Sequence, residues 1–182
     1  MALAAALPIG VPGEGELADV VLTERRARSE VRSRLDGRLP DGHRLVDLFD
    51  VWLGEPSLAA RLAAADYRLD IRGVSGPELA GACDALLAAT TLKRTRPKGE
   101  GRSVAYDLRP LVLGLDVRPE RPESDPAGRT ATLGVRVRHG QEGGAGRPDE
   151  VVLALGERLG REITLAGAIR ERLLTSDELP SG

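Results

Sequence analysis

Apolar positions along the chain change period several times, and each change marks an element. Residues 17–23 (LADVVLT) read as a strand. In residues 24–39, Ala27, Val31, Leu35 and Leu39 recur every four positions among Arg and Glu, which predicts a helix with one apolar stripe. Pro40 and Gly42 end it. Residues 44–53 (RLVDLFDVWL) alternate Leu45, Phe49 and Val51 against Val46, Leu48 and Trp52, so both faces are apolar. That pattern predicts a strand interior to a sheet. After a short helical turn, Tyr67, Leu69 and Ile71 alternate with Arg68, Asp70 and Arg72, a strand with one wet face. Ser75, Pro77 and Glu78 then form a helix start of the capping-box type, followed by an apolar stripe of Leu79, Cys83, Leu86 and Leu87.

The remaining elements follow the same logic. TLKRTR and RSVAYDL flank PKGEG, which has the composition of a hairpin turn. Residues 119–129 are a Pro-rich polar loop. Leu133, Val135 and Val137 alternate with Arg136 and Arg138 in a further strand. Pro148, Asp149 and Glu150 open a helix with acidic groups at the positive end of its dipole. EITLAGAI supplies a last strand. The fold class expected is α+β, with helices on one face of antiparallel sheets. It divides into two ferredoxin-like β-α-β-β-α-β halves, the first (residues 1–56) incomplete and the second spanning residues 57–182.

Composition narrows the core and the setting. Phe49, Trp52, Tyr67 and Tyr106 are the only aromatics among 182 residues, so the core is built of Leu, Val and Ala. Cys83 stands alone, which rules out an internal disulfide and any thiolate cluster. The opening MALAAALPIG lacks a basic n-region and soon meets Pro8 and Gly10, a poor signal peptide. No apolar run is long enough for a membrane helix. A cytoplasmic protein without a membrane contact is expected.

Charge is distributed unevenly. Residues 92–110 hold Lys93, Arg94, Arg96, Lys98, Arg102 and Arg109 against Glu100 and Asp107, six cations and two carboxylates, or +4 in a chain of net charge −2. A charged hairpin can be a solvated edge that resists aggregation, a finger that contacts phosphates, or a surface for an acidic protein. Arg68, Arg72, Arg136 and Arg138, on the outward faces of neighbouring strands, would extend the patch. Scarce aromatics disfavour base stacking, so RNA would be held through backbone charge and shape.

Catalytic and cofactor signals are weak. His43 and His139 each lie beside a loop without Cys or His at metal-ligand spacing, and read as ordinary surface residues. Cys83 falls on an apolar helix stripe and reads as a buried, inert thiol. GVPGEG matches neither a P-loop nor a dinucleotide fingerprint. No cofactor, metal or acid–base pair is therefore assigned, and Asp107 beside Arg109 reads as a local ion pair.

Several segments together resemble the radical-SAM-linked proteins, a conserved bacterial domain of unknown function. They are LPIGV, Asp19 in LADVVL, LPDGHRL, PSLAA, YDLRPLV and GRPDEV, in the family's order. The most specific is D-x-R-P at Asp107, Arg109 and Pro110. The resemblance implies a radical-SAM partner and, through neighbouring genes, an association with RNA. It brings no catalytic residues. Family segments like S-H-L-D and G-F-N-P-H-P, which would precede Met1, are not in this sequence. The resemblance thus implies a first half lacking its initial β-α unit, with apolar surface exposed near residues 17–21 and 45–52. The function expected is a non-catalytic accessory module that docks RNA. An RNA-processing or hydrolytic enzyme, or a protein-interaction module without RNA, are the alternatives.

Overall fold

A computed structural model of the protein describes residues 1–97, 103–119, 130–140 and 144–179. In chain order the elements are β1 (Ala2–Leu3), β2 (Ala18–Asp19), α1 (Arg28–Asp36), α2 (Leu58–Arg61), β3 (Leu62–Arg72), α3 (Gly76–Leu87), β4 (Lys93–Pro97), β5 (Ser103–Asp107), β6 (Val112–Arg118), β7 (Thr130–Arg138), α4 (Pro148–Leu159) and β8 (Thr164–Thr175).

Four of these strands form one sheet in the order β6-β7-β3-β8, every neighbouring pair antiparallel. Helix α3 follows β3 and α4 precedes β8, so the connectivity is ferredoxin-like β-α-β-β-α-β. Alternation along β3 and β7 turns Tyr67, Leu69, Ile71, Leu133, Val135 and Val137 to the core face, where they are buried. Leu79, Ala82, Cys83 and Leu86 of α3 and Val151, Val152, Ala154 and Leu155 of α4 cover that face. The buried core is aliphatic apart from Tyr67 and Cys83, in keeping with the composition.

The outer face is a lattice of ion pairs. Arg136 bonds both oxygens of Asp66, at 2.7 and 2.8 Å. Glu171 accepts from Arg68 at 2.9 Å and from both terminal nitrogens of Arg118 at 2.7 Å. Those bonds, those of Arg118 first, hold the Glu171 carboxyl below its ordinary pKa. Arg118 starts on β6 and reaches across β7 at Gly134, where a Cβ would lie 3.0 Å from its guanidinium. Gly134 is the slot that lets this arginine lie flat.

The amino-terminal arm crosses the free edge of β8. Gly13 pairs with Arg170 as a parallel bridge, the Arg170 amide donates to Pro12 O at 2.9 Å, and the Glu14 amide donates to Arg170 O at 2.9 Å. The Arg170 side chain is wholly buried. Its Nε donates to Glu16 Oε1 at 2.8 Å, Nη1 to Ala6 O at 2.9 Å, and Nη2 to Ala5 O and to Glu16 Oε2. Ala4 and Ala5 thereby join the core.

Sequence and structure part in the first 61 residues. Residues 17–23 form a strand only at Ala18–Asp19, and α1 is shorter than the 24–39 helix predicted. The strand predicted over residues 44–53 is absent. No residue from Ala6 to Arg61 is buried, the apolar stripes of residues 24–53 meet no sheet, and an extended segment without a neighbour has no ladder to join. In the second half, β3, α3, β7 and α4 stand where the periodicity puts them. One assignment changes: β4 and β5 form a separate two-stranded sheet, and the strand between α3 and β7 in the main sheet is β6.

These contacts can be tested at two places. Arg170→Ala strands Glu16 and two carbonyls and releases the arm; urea denaturation should show a loss of about 3–5 kcal/mol, and a loss under about 1 kcal/mol would show that the arm is not held here. At the start of α3, bonds from the Ser75 hydroxyl and amide and from Arg161 hold the Glu78 pKa down to about 2, against an ordinary 4.5. A depressed carboxyl stabilises the fold above 4.5, and that contribution is lost as pH falls toward 2. The stability gap between the wild type and Glu78→Gln should therefore be constant above about pH 5 and close on acidification; a gap that does not change with pH would contradict the assignment.

Candidate functional site

The basic hairpin leaves the end of α3 and returns into β6, and its base is tightly made. The carboxylate of Asp107 accepts the Leu92 amide at 2.7 Å and the Arg109 amide at 3.0 Å, and the Leu108 amide donates to Leu92 O at 2.8 Å. Leu92 and Leu108 beside it are buried. The two amides are the main cause of an Asp107 pKa below the ordinary carboxylate value, with the charges of Arg109 and Lys93 adding to it.

Arg109 turns inward. Its Nε and Nη2 donate to Leu87 O at 3.1 and 2.9 Å, and Nη1 donates to Val112 O at 2.8 Å. Leu87 ends α3, so the guanidinium caps a carbonyl that the helix leaves unpaired, at the negative end of the dipole. Pro110 sits in the 3-10 turn Arg109–Leu111, where its fixed φ suits the turn. The D-x-R-P element is thus a joint between helix, hairpin and sheet. Asp107 orients the backbone of Arg109, and the guanidinium goes to carbonyls.

The remaining cations divide by face. Register pairs Lys93 with Asp107, Arg94 with Tyr106, Thr95 with Ala105 and Arg96 with Val104. Strand alternation puts Arg94, Arg96, Tyr106 and Val104 on one side and Lys93 and Thr95 on the other. Arg94 is neutralised by α4: Nη2 donates to Glu157 at 2.8 Å and Nε lies 3.9 Å from Glu150. That Nε is buried without a hydrogen-bond partner, close enough to Glu150 to add Coulomb attraction only. Arg96 lies over the Tyr106 ring, 5.5 Å from its centroid. Burial, then Glu150, raises the Tyr106 pKa above its ordinary value. Lys93 is exposed. Lys98 and Arg102 lie outside the described residues.

Of the four arginines expected to extend the patch, two are paired with carboxylates. Arg68 and Arg136 are held by Glu14, Glu171 and Asp66. Arg72 and Arg138 are exposed at opposite ends of the sheet, opposite Thr130 and Ala64. A local sequence window shows the arginines of the outer face but not the carboxylates that reach them from other strands. Arg170, with Glu16, was missed for the same reason: the two are 154 positions apart.

Other candidates are placed as follows. His139 is half-buried rather than on the surface; burial and the charge of Arg170 lower its pKa. His43 is exposed, with Nδ1 3.3 Å from Asp41 O. Cys83 is buried, which pushes its pKa up to about 12. Among the described residues no group of three or more His, Cys, Asp or Glu is placed to hold a metal ion. Among them no helix is long and apolar enough to cross a membrane. Two further residues of the segments that carry the resemblance make close structural contacts. Asp19 accepts the Leu58 amide at the start of α2 at 2.9 Å. A Cβ on Gly146 would meet Val137 Cβ at 2.8 Å and Leu111 O at 2.9 Å.

Residues 1–144 match a family model described as an uncharacterized protein conserved in bacteria (DUF2344). Comparison with curated proteins finds no match. Among solved structures, a chain from the crystal structure of a Cbf5-Nop10-Gar1 complex is similar at a TM-score of 0.44 and 15% identity, over 65% of this chain and 33% of that one. The protein thus spans about a third of that chain.

The joint at Arg109 has a measurable weight. Arg109→Ala removes three N–H donors from two carbonyls and should lower unfolding stability by about 2 kcal/mol in urea. Arg109→Lys should recover less than half of this, because an ammonium is a point charge without the fork that spans Leu87 O and Val112 O. Full recovery by lysine would show that charge at the helix end is all that matters.

Proposed function

The chain belongs to this family of proteins conserved in bacteria, and from that premise we propose that it is a non-catalytic accessory module that docks RNA through the β4–β5 hairpin. One observation carries the reading: the hairpin stands outside the main sheet on a tightly bonded base, with Lys93 exposed and Arg96 resting on the Tyr106 ring. The sequence between the two strands adds Lys98 and Arg102. A charged ribbon on a stiff base presents cations to phosphates without rearranging. Arg94 and Arg109, turned toward α4 and α3, support the hairpin and leave Lys93, Arg96, Lys98 and Arg102 as the contacting set. The resemblance to radical-SAM-linked proteins adds a radical-SAM protein as the companion that performs chemistry on the docked RNA.

Titration of a fluorescent single-stranded RNA against salt tests the reading. Four phosphate contacts give a slope of log affinity on log salt of about −3 on single strands. Replacing Lys93, Arg96, Lys98 and Arg102 together by Ser should bring that slope close to zero and leave the melting temperature nearly unchanged, Lys93 and Arg96 being exposed. Arg94→Ser should lower stability and alter the slope little. Binding unaffected by the fourfold change, or insensitive to salt, would remove the hairpin from the RNA. Co-elution with the companion radical-SAM protein, and its absence at micromolar concentrations, decides the partner.

A further inference from the structure

On one side of the β4–β5 ribbon, Arg94 stands directly opposite Tyr106 and Arg96 directly opposite Val104. Arg96 therefore reaches Tyr106 along the diagonal, which a long side chain can span. Its guanidinium carbon lies over the ring, 5.5 Å from the centroid and within cation–π reach. Arg94 is taken up by α4: Nη2 is bonded to Glu157 at 2.8 Å, and the side chain is only 14% exposed. Tyr106 is half-buried and packs against the core. The next residue, Asp107, ties the ribbon to the Leu92 and Arg109 amides. The ring is thus a fixed floor. One face of the Arg96 guanidinium rests on it, and Arg96 is exposed, so the other face is open to solvent.

We propose that Arg96 is a stacking platform for an unpaired nucleobase of single-stranded RNA. This rests on the RNA reading and specifies its ligand. The guanidinium is planar, and splayed-out bases stack on such planes as they do on aromatic rings. Its N–H groups lie in the plane, so they stay free to meet the adjacent phosphate while the face is covered. Other aromatic planes are placed elsewhere: Tyr67 is buried, and Phe49 and Trp52 belong to a segment far from the hairpin in sequence. Aromatic scarcity therefore does not exclude base stacking, because here an arginine supplies the plane. The ring beneath also restrains Arg96 before RNA arrives, which lowers the cost of ordering the side chain on binding. A base inside a duplex is covered on both faces by its neighbours and cannot use the platform without unstacking.

Three fluorescent probes test this on the full chain: a single-stranded RNA, the same strand made abasic, and its duplex. The wild type should bind the intact strand about tenfold more tightly than the abasic one. Arg96→Lys keeps the charge and loses the plane. It should weaken binding of the intact strand about tenfold, with no effect on the abasic strand or the duplex and no change in salt slope. Tyr106→Phe keeps the ring and should bind as the wild type does. Circular dichroism should be the same for all three proteins. Intact and abasic strands bound alike, no loss on Arg96→Lys, or an equal loss on the duplex overturns the platform. The RNA reading survives each of those results if the wild-type salt slope is about −3. Absence of salt-dependent binding to all three probes removes the RNA reading, and the platform with it.

Discussion

A guanidinium taken out of water costs several kcal/mol unless its donors are met, and at Arg170 they are met by the amino-terminal arm. Glu16 supplies both carboxylate oxygens, and Ala5 and Ala6 supply carbonyls. Arg170 sits on the edge strand β8 opposite Tyr67 of β3, buried, and most of its requirement is met by chain that comes to it. The arm therefore lies along the edge of β8, pairs there at Gly13, and brings Ala4 and Ala5 into the core. It also closes an edge strand that would otherwise offer a row of free backbone groups to other chains. Besides this pair the arm is held by backbone bonds to β8 at Pro12, Glu14 and Gly15 and by Val11 and Leu17 packed against the core.

The same rule sorts the other arginines. Each guanidinium goes first to the carboxylate or carbonyl that the fold brings within reach. On the outer sheet face this yields Asp66–Arg136 and the Glu14–Arg68–Glu171–Arg118 group, three arginines against three carboxylates, so little field is left for a polyanion. At the hairpin base it yields Arg109 on Leu87 O and Arg94 on Glu157. Among the described residues, Lys93 and Arg96 make no ion pair with a carboxylate within 4 Å. The cluster of six cations in sequence is thus not six equivalent charges: Arg94 and Arg109 turn inward as supports, while Lys93 and Arg96 are exposed.

Weak packing of residues 20–57 stands in contrast. Val31, Leu35, Leu39, Leu45 and Leu48 are half-exposed, and the larger side chains of residues 46–53 face solvent. A stripe with the right period is not enough to bury a helix or found a strand. Both require an opposing surface, and the four-stranded sheet has none to offer, because α3 and α4 cover one face and paired charges cover the other.

Much of the second half was legible in the order of residues. Alternation in Tyr67, Leu69 and Ile71 and in Leu133, Val135 and Val137 marks two half-buried strands, and S-x-x-E at Ser75 and Glu78 marks a helix start. These signals are local: a side chain's face is set by a period of about two or 3.6, whatever the partner. The hairpin was legible for the same reason, and its charge could be counted. What the order of residues left open was every question about partners across space. Tertiary structure decided that β6, rather than β4 or β5, enters the main sheet. It decided that Arg109 and Arg94 turn inward, that Arg118 lies over Gly134, and that Arg170 is buried against a glutamate 154 positions away. It also decided that residues 44–53, strand-like by pattern, form no strand in the single chain. The physical reason is common to all of these. A strand exists by hydrogen bonds to a neighbour, and a long charged side chain settles on the nearest counter-charge, and neither neighbour is specified by the residues on either side.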